Sequence, residues 1–183
     1  YYGGLVKAFP DLKLCLPQMT FGDRFTIYGR DRRAELLTFE NGHTGSDTLL
    51  YLPDQDRNGI IFAADLMFVQ THPFLAEGDP FKLITILETI AEMPFTMIVP
   101  GHGPVGTKED VRLLKEYVKF CIETAGRMIA AGRTEDAAVA ALTIPPPYDT
   151  WAIPHFFQTN MRSLITLFSS EIEGKPQKSR GRD

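Results

Sequence analysis

The sequence predicts an α/β fold in which helices cover one side of a β-sheet. Three observations carry that expectation. Strand-like stretches crowd residues 12–52, short apolar runs then alternate with amphipathic helical patterns from residue 60, and only helical patterning follows residue 134. At 183 residues the chain suits one domain rather than two, and no internal repeat divides it.

Taken in order, Phe25–Tyr28, Glu35–Phe39 and Asp47–Leu52 read as strands, bounded by charged or turn-forming residues. Residues 53–59 end in Asn-Gly and read as a solvated turn. Ile60–Ala64 is apolar and short, as a buried strand requires. After a loop with His72-Pro73, Asp79 and Pro80 form an N-cap and a first helical position, and Leu83, Ile84, Leu87 and Ile90 share one helix face. Pro94 ends that helix. Phe95–Val99 is a second buried strand, closed by Pro100-Gly101. Thr107 with Asp110 opens a long helix as a capping box, with a stripe from Val111 through Leu114, Val118, Cys121, Ile122 and Ala125 to Ile129, and Gly132 stops it. Thr134 caps a short Ala-rich helix to Leu142, and Pro145–Pro147 forms a stiff connector. A last helix over Phe156–Ser170 buries Phe157, Met161, Leu164, Ile165 and Phe168, and a basic, disordered tail is expected over 174–183.

Composition narrows the function. The chain is 44% apolar and 23% charged with a formal net charge of −4, which excludes bulk disorder and gives no case for nucleic acid as a partner. No apolar run approaches the roughly 18 residues that span a bilayer, so no membrane role is expected. The first residues lack the charged-then-apolar pattern of a secretory signal. Two cysteines, Cys15 and Cys121, are no disulfide framework; both read as buried thiols, which favours a reducing, cytoplasmic setting.

The chemistry concentrates on three residues. His43 lies in a Gly-rich turn after Phe39, Asp65 follows the apolar strand Ile60–Ala64, and His102 follows Val99-Pro100-Gly101. Each is expected at the C-terminal end of a strand, where a rigid sheet positions loops. Neutral imidazole binds zinc, iron and manganese, and a carboxylate has two oxygens with which to bridge two ions. The bland alternative is a surface histidine in each turn and a turn-forming aspartate.

These segments are similar to a known family. Gly42-His43-Thr44 with Asp47, then Ile61-Phe62-Ala63-Ala64-Asp65-Leu66, then Val99-Pro100-Gly101-His102-Gly103-Pro104 resemble the C-terminal half of the metallo-β-lactamase-fold hydrolases, over about residues 20–120. The Pro-rich connector, Tyr148, Trp151 and the last helix resemble the tail of the branch that includes quinoprotein-relay hydrolases. The resemblance implies half of a four-layer αββα sandwich, a mixed β-sheet covered by helices, with extra C-terminal helices, spanning residues 1–173. It implies that His43 completes a histidine set on one metal, that Asp65 bridges two and acts in catalysis, and that His102 binds the second. The cofactors so implied are two divalent ions, zinc ahead of iron or manganese. A metal-bound hydroxide, formed because coordination lowers the pKa of water to about 7, would cleave an ester, thioester, lactone or related bond in a small molecule. Some relatives are instead iron-dependent redox enzymes.

Two departures qualify the match. The family's first-half motif, His-x-His-x-Asp-His, is absent, and Ala64 stands where glycine is usual before the bridging aspartate. The chain is therefore expected to be the C-terminal portion of a longer protein, whose apolar sheet face packs on a missing N-terminal half or on a second copy in a homodimer. The competing expectation is a non-catalytic or truncated scaffold of the same fold that associates with a partner chain. His72 and His155 are candidates for a substrate-pocket wall, with Tyr148 and Trp151 beside His155 as a lid, against an ordinary loop histidine at 72 and a capping or packing role at 155; Asp47 either orients a ligand histidine through its ring nitrogen or only opens the next strand.

Overall fold

The computed structural model describes Phe9 and residues 12–13, 15–54 and 58–172. The expected basic tail and the centre of the 53–59 turn lie outside the described residues. Five strands, β1 (Arg24–Tyr28), β2 (Arg33–Phe39), β3 (Asp47–Leu52), β4 (Gly59–Phe68) and β5 (Phe95–His102), form one sheet in sequential order. β1 to β4 pair antiparallel and β4 pairs parallel with β5. That parallel pair needs a crossover, which helix α1 (Pro80–Glu92) supplies. Helix α2 (Lys108–Ala130), the short α3 (Glu135–Ala140), a 3₁₀ turn over Tyr148–Thr150 and α4 (His155–Ile172) complete the chain.

The helix signals act as expected. The Asp79 carboxylate accepts the Phe81 and Lys82 N–H groups at 2.9 and 3.2 Å, ahead of Pro80. The Thr107–Asp110 capping box closes at the start of α2, and Gly132 turns left-handed at φ 65° just past its end. No helix among the described residues is long and apolar enough to cross a membrane.

Strand alternation gives the sheet two unlike faces. Leu49, Tyr51, Ile61, Ala63 and Ile98 are buried in the same core as Leu83, Leu87 and Ile90 of α1 and Leu114 and Val118 of α2. On the opposite face the register aligns Phe25, Leu36, Leu50, Phe62 and Val99 in one row across the sheet, with Leu52, Ile60 and Met97 in the next. Phe62, Met97 and Ile27 on that side are exposed. Covering such a face is worth about 25 cal/mol per Å² of apolar surface removed from water.

Two strands run past the ends their patterns predict. β4 continues past Ala64 to Phe68 and β5 past Val99 to His102. The reason is a double irregularity: Phe62, Ala64 and Phe68 face Val99, Pro100 and His102, so β4 inserts extra residues against β5. Alternation breaks at that point, and Leu66, Met67 and Phe68 are all buried. Ala64, at the break, sits at φ 46°, a left-handed conformation that costs a residue with a Cβ about 1–2 kcal/mol. Cys121 is buried as expected, and burial pushes its thiol up to about 12. Cys15 is exposed, against the sequence expectation, so the pair of buried thiols reduces to one.

Candidate metal centre

His43 in the loop after β2, Asp65 on β4 and His102 closing β5 come together at one rim of the sheet; Asp65 lies three residues before the end of β4, not at the strand end the sequence predicts. Asp47, at the start of β3, shapes the loop that carries His43. Its carboxylate accepts the backbone N–H groups of Gly42, His43 and Thr44 at 2.9–3.0 Å and the Thr44 hydroxyl at 2.8 Å. The Asp79 N–H ties the same loop to α1 through the Asn41 carbonyl at 2.9 Å. The expectation that Asp47 orients an imidazole is corrected: its oxygens are committed to the loop backbone, and the buried Nδ1 of His43 has no hydrogen-bond partner among the described residues.

Asp65 stands on the irregular stretch of β4, and His102 ends β5 with its carbonyl accepting the Val69 N–H at 3.0 Å. Glycine is required opposite: a Cβ on Gly101 would collide with Asp65 Oδ1 and the Ala64 backbone. Gly103, at φ 98°, turns the chain away where a Cβ would strike the Val69 carbonyl.

The two carboxylate oxygens face different rings. His43 Nε2 lies 3.5 Å from Asp65 Oδ2, and His102 Nε2 lies 3.6 Å from Asp65 Oδ1. These separations are too long for good hydrogen bonds. They are close to the ligand–ligand edge of about 3.3–3.4 Å that a tetrahedral cation with 2.0–2.1 Å bonds sets. The spacing of each nitrogen–oxygen pair thus suits two neighbouring donors to a cation. The His43, Asp65 and His102 side chains are 11, 43 and 51% exposed, so the rim is open to solvent on the Asp65–His102 side. Among the described residues no group of three or more His, Cys, Asp or Glu side chains encloses a single ion position.

The remaining histidines do not join this cluster. His72 is fully buried, which removes it from any pocket wall. Its Nδ1 lies 2.8 Å from the Tyr117 hydroxyl, and the rings of Tyr117, Trp151 and Phe157 surround it at 5.3–6.2 Å. Its Nε2 has no partner among the described residues. Burial lowers its pKa, with the Tyr148 backbone acting against that shift, and burial pushes the Tyr117 hydroxyl far up. Tyr148 and Trp151 are buried in the same cluster, so they form part of the core rather than a lid. His155 is exposed at the start of α4 and packs edge-on against Phe156 at 4.8 Å. Sequence reasoning passed over Asn160, whose side chain accepts the Leu75 N–H at 2.8 Å and donates to the Pro73 carbonyl at 2.7 Å. A polar residue on the apolar stripe of the last helix was the available signal. It also passed over Phe68, beside both rim histidines.

No family profile and no curated protein matches the sequence. Solved structures do match in fold. A metallo-β-lactamase from Pontibacter korlensis is 23% identical with a TM-score of 0.51, over 62% of this chain and 54% of that one. A stereoselective inverting sec-alkylsulfatase from Pseudomonas sp. is 15% identical with a TM-score of 0.62, over 90% of this chain and 28% of that one. A metallo-β-lactamase family protein from Thermus thermophilus is 16% identical with a TM-score of 0.61, over 87% of this chain and 50% of that one. The matched region therefore spans about half or less of each of these proteins.

Proposed function

The chain has the architecture of half a metallo-β-lactamase-fold domain, and on that premise we propose that it is the C-terminal half of a metal-dependent hydrolase. One observation carries the reading: a single carboxylate offers each of its oxygens to a different imidazole nitrogen, at 3.5 and 3.6 Å, on a solvent-facing strand rim. His43, Asp65 and His102 would hold two divalent ions, zinc ahead of iron or manganese. Such ions, when bound, supply Lewis-acid charge and a hydroxide nucleophile at neutral pH. The protein's own contribution is placement. The Asp47-tied loop fixes where His43 stands, the break in β4 presents Asp65, and Gly101 leaves its oxygens room. The substrate class is a small molecule with an ester, thioester, lactone or related bond.

One nitrogen and one oxygen per ion fall short of the four ligands of a tetrahedral site. The missing ligands would come from a second unit seated on the open apolar face, either an N-terminal half or another copy of this chain. Support lies in the row of Phe62, Met97 and their neighbours and in the coverage of 54% and 50% of two neighbours. The incomplete ligand set also favours a second reading, a non-catalytic scaffold that uses this face for association.

Metal analysis and hydrolysis assays on the protein that contains this chain decide between them. The enzyme reading expects about two transition-metal ions per complete site. It expects metal-stimulated cleavage of p-nitrophenyl acetate or a thioester, falling at least 10²-fold or so in His43→Ala, Asp65→Ala and His102→Ala. Absence of retained metal together with absence of metal-stimulated cleavage overturns it in favour of the scaffold.

A further inference from the structure

We infer that Phe68 is the positioning residue for both rim imidazoles; the inference deepens the proposed metal centre and rests on that reading. Its ring lies 5.0 Å from the His102 ring at an interplanar angle of 14°, and 5.7 Å from the His43 ring at 47°. One aromatic side chain therefore contacts the two histidines that flank Asp65.

Phe68 is itself immobilised. It is almost fully buried at the end of β4, it is the register partner of His102, and the next residue, Val69, donates its N–H to the His102 carbonyl at 3.0 Å. A histidine ligand is ordinarily oriented by a hydrogen bond to its second ring nitrogen. At His43 that device is missing among the described residues, since Nδ1 is buried without a partner and Asp47 is committed to the backbone. The His102 side chain is half exposed, and its flat contact is the Phe68 ring. Ring packing takes the place of the hydrogen bond: the aromatic face limits rotation of both imidazoles and keeps each Nε2 turned toward its Asp65 oxygen. Leucine would keep bulk at this position and remove the flat surface.

Cobalt(II) titration followed by visible absorbance, in the protein that contains this chain, tests the inference without an activity assay. Phe68→Leu should bind Co²⁺ about tenfold or more weakly than wild type, the range seen when a ligand's support is removed, and Phe68→Tyr should restore binding to within about threefold by the same measure. Val118→Ala is the packing control: this fully buried side chain of α2 takes no part in the rim contacts above, and its truncation should lower the melting temperature with Co²⁺ affinity unchanged. In metal-free protein, three-bond couplings about the His102 Cα–Cβ bond should report one rotamer in wild type and Phe68→Tyr and averaging in Phe68→Leu. Wild-type affinity in Phe68→Leu, equal weakening in Val118→Ala, or an averaged His102 rotamer in wild type overturns the inference. If wild type takes up no Co²⁺, the metal-centre reading fails, and the couplings still decide whether Phe68 orients the imidazole.

Discussion

Two histidine environments meet around the end of β4, and they are built to opposite rules. Behind the rim, His72 is enclosed by aromatic rings and bonded to Tyr117 at 2.8 Å, while Asn160 pins the adjoining loop through Leu75 and Pro73. On the rim, His43 and His102 face Asp65 at 3.5 and 3.6 Å, with the carboxylate and one ring open to water. The interior cluster joins α2 and α4 to the loop after β4 by short hydrogen bonds in a dry setting, so it contributes to fold stability. The rim holds its facing nitrogen and oxygen atoms 3.5 and 3.6 Å apart, without a short hydrogen bond between them. Local strain sits on the rim as well, at Ala64.

The strongest way to break this contrast is to remove one side chain from each region. Asn160→Ala leaves the Leu75 N–H and Pro73 carbonyl buried without partners and should cost about 2–5 kcal/mol in urea unfolding. Asp65→Ala should stay within about 0.5–1 kcal/mol of wild type in the same experiment, since it removes an exposed carboxylate with no short hydrogen bond. Comparable losses in the two variants would erase the distinction between regions.

A pH series sharpens it. Burial lowers the His72 pKa, so over the window below the ordinary value of about 6.5 the unfolded chain binds a proton that the folded chain refuses. Stability is then fully present above that value and falls as the pH drops toward the lowered pKa, by at most about 1.4 kcal/mol per pH unit. Denaturant midpoints between about pH 5 and 8 should show this slope in wild type and a shallower one in His72→Gln. An unchanged slope in the variant assigns the dependence to other groups.

The smallest effect concerns the strain. Ala64→Gly removes the left-handed penalty at φ 46° against the entropic cost of glycine and should raise stability by about 0.5–1 kcal/mol, read as an upward shift in melting temperature. A loss of stability would show that the Ala64 methyl group contributes more than its backbone costs.

Much of the fold was legible in local sequence. β1, β2 and β3 follow their alternation, and α1 and α2 start at the caps that Asp79 and Thr107 announce. The rim residues were legible too, because His43 and His102 lie in segments rich in glycine or proline beside apolar runs and Asp65 directly follows the apolar run Ile60–Ala64. The end of β4 was not, since the break at Ala64 destroys the period-two pattern on which strand reading depends. His72 was misread for a different reason. Its enclosure is supplied by Tyr117, Trp151 and Phe157, residues far along the chain, and nothing within its own loop specifies their approach.

The amino-acid sequence by itself determined which segments become strands and helices and where the helices begin, and it marked two imidazoles and one carboxylate beside apolar runs, because capping, periodicity and turn chemistry act over a few residues. Tertiary structure alone decided that His72 belongs to the core, that Asp47 serves a backbone loop, and that Phe68 lies against both rim rings. Those outcomes depend on packing between segments distant in the chain, and each is set by the shape and polarity of neighbours that only the folded molecule brings together.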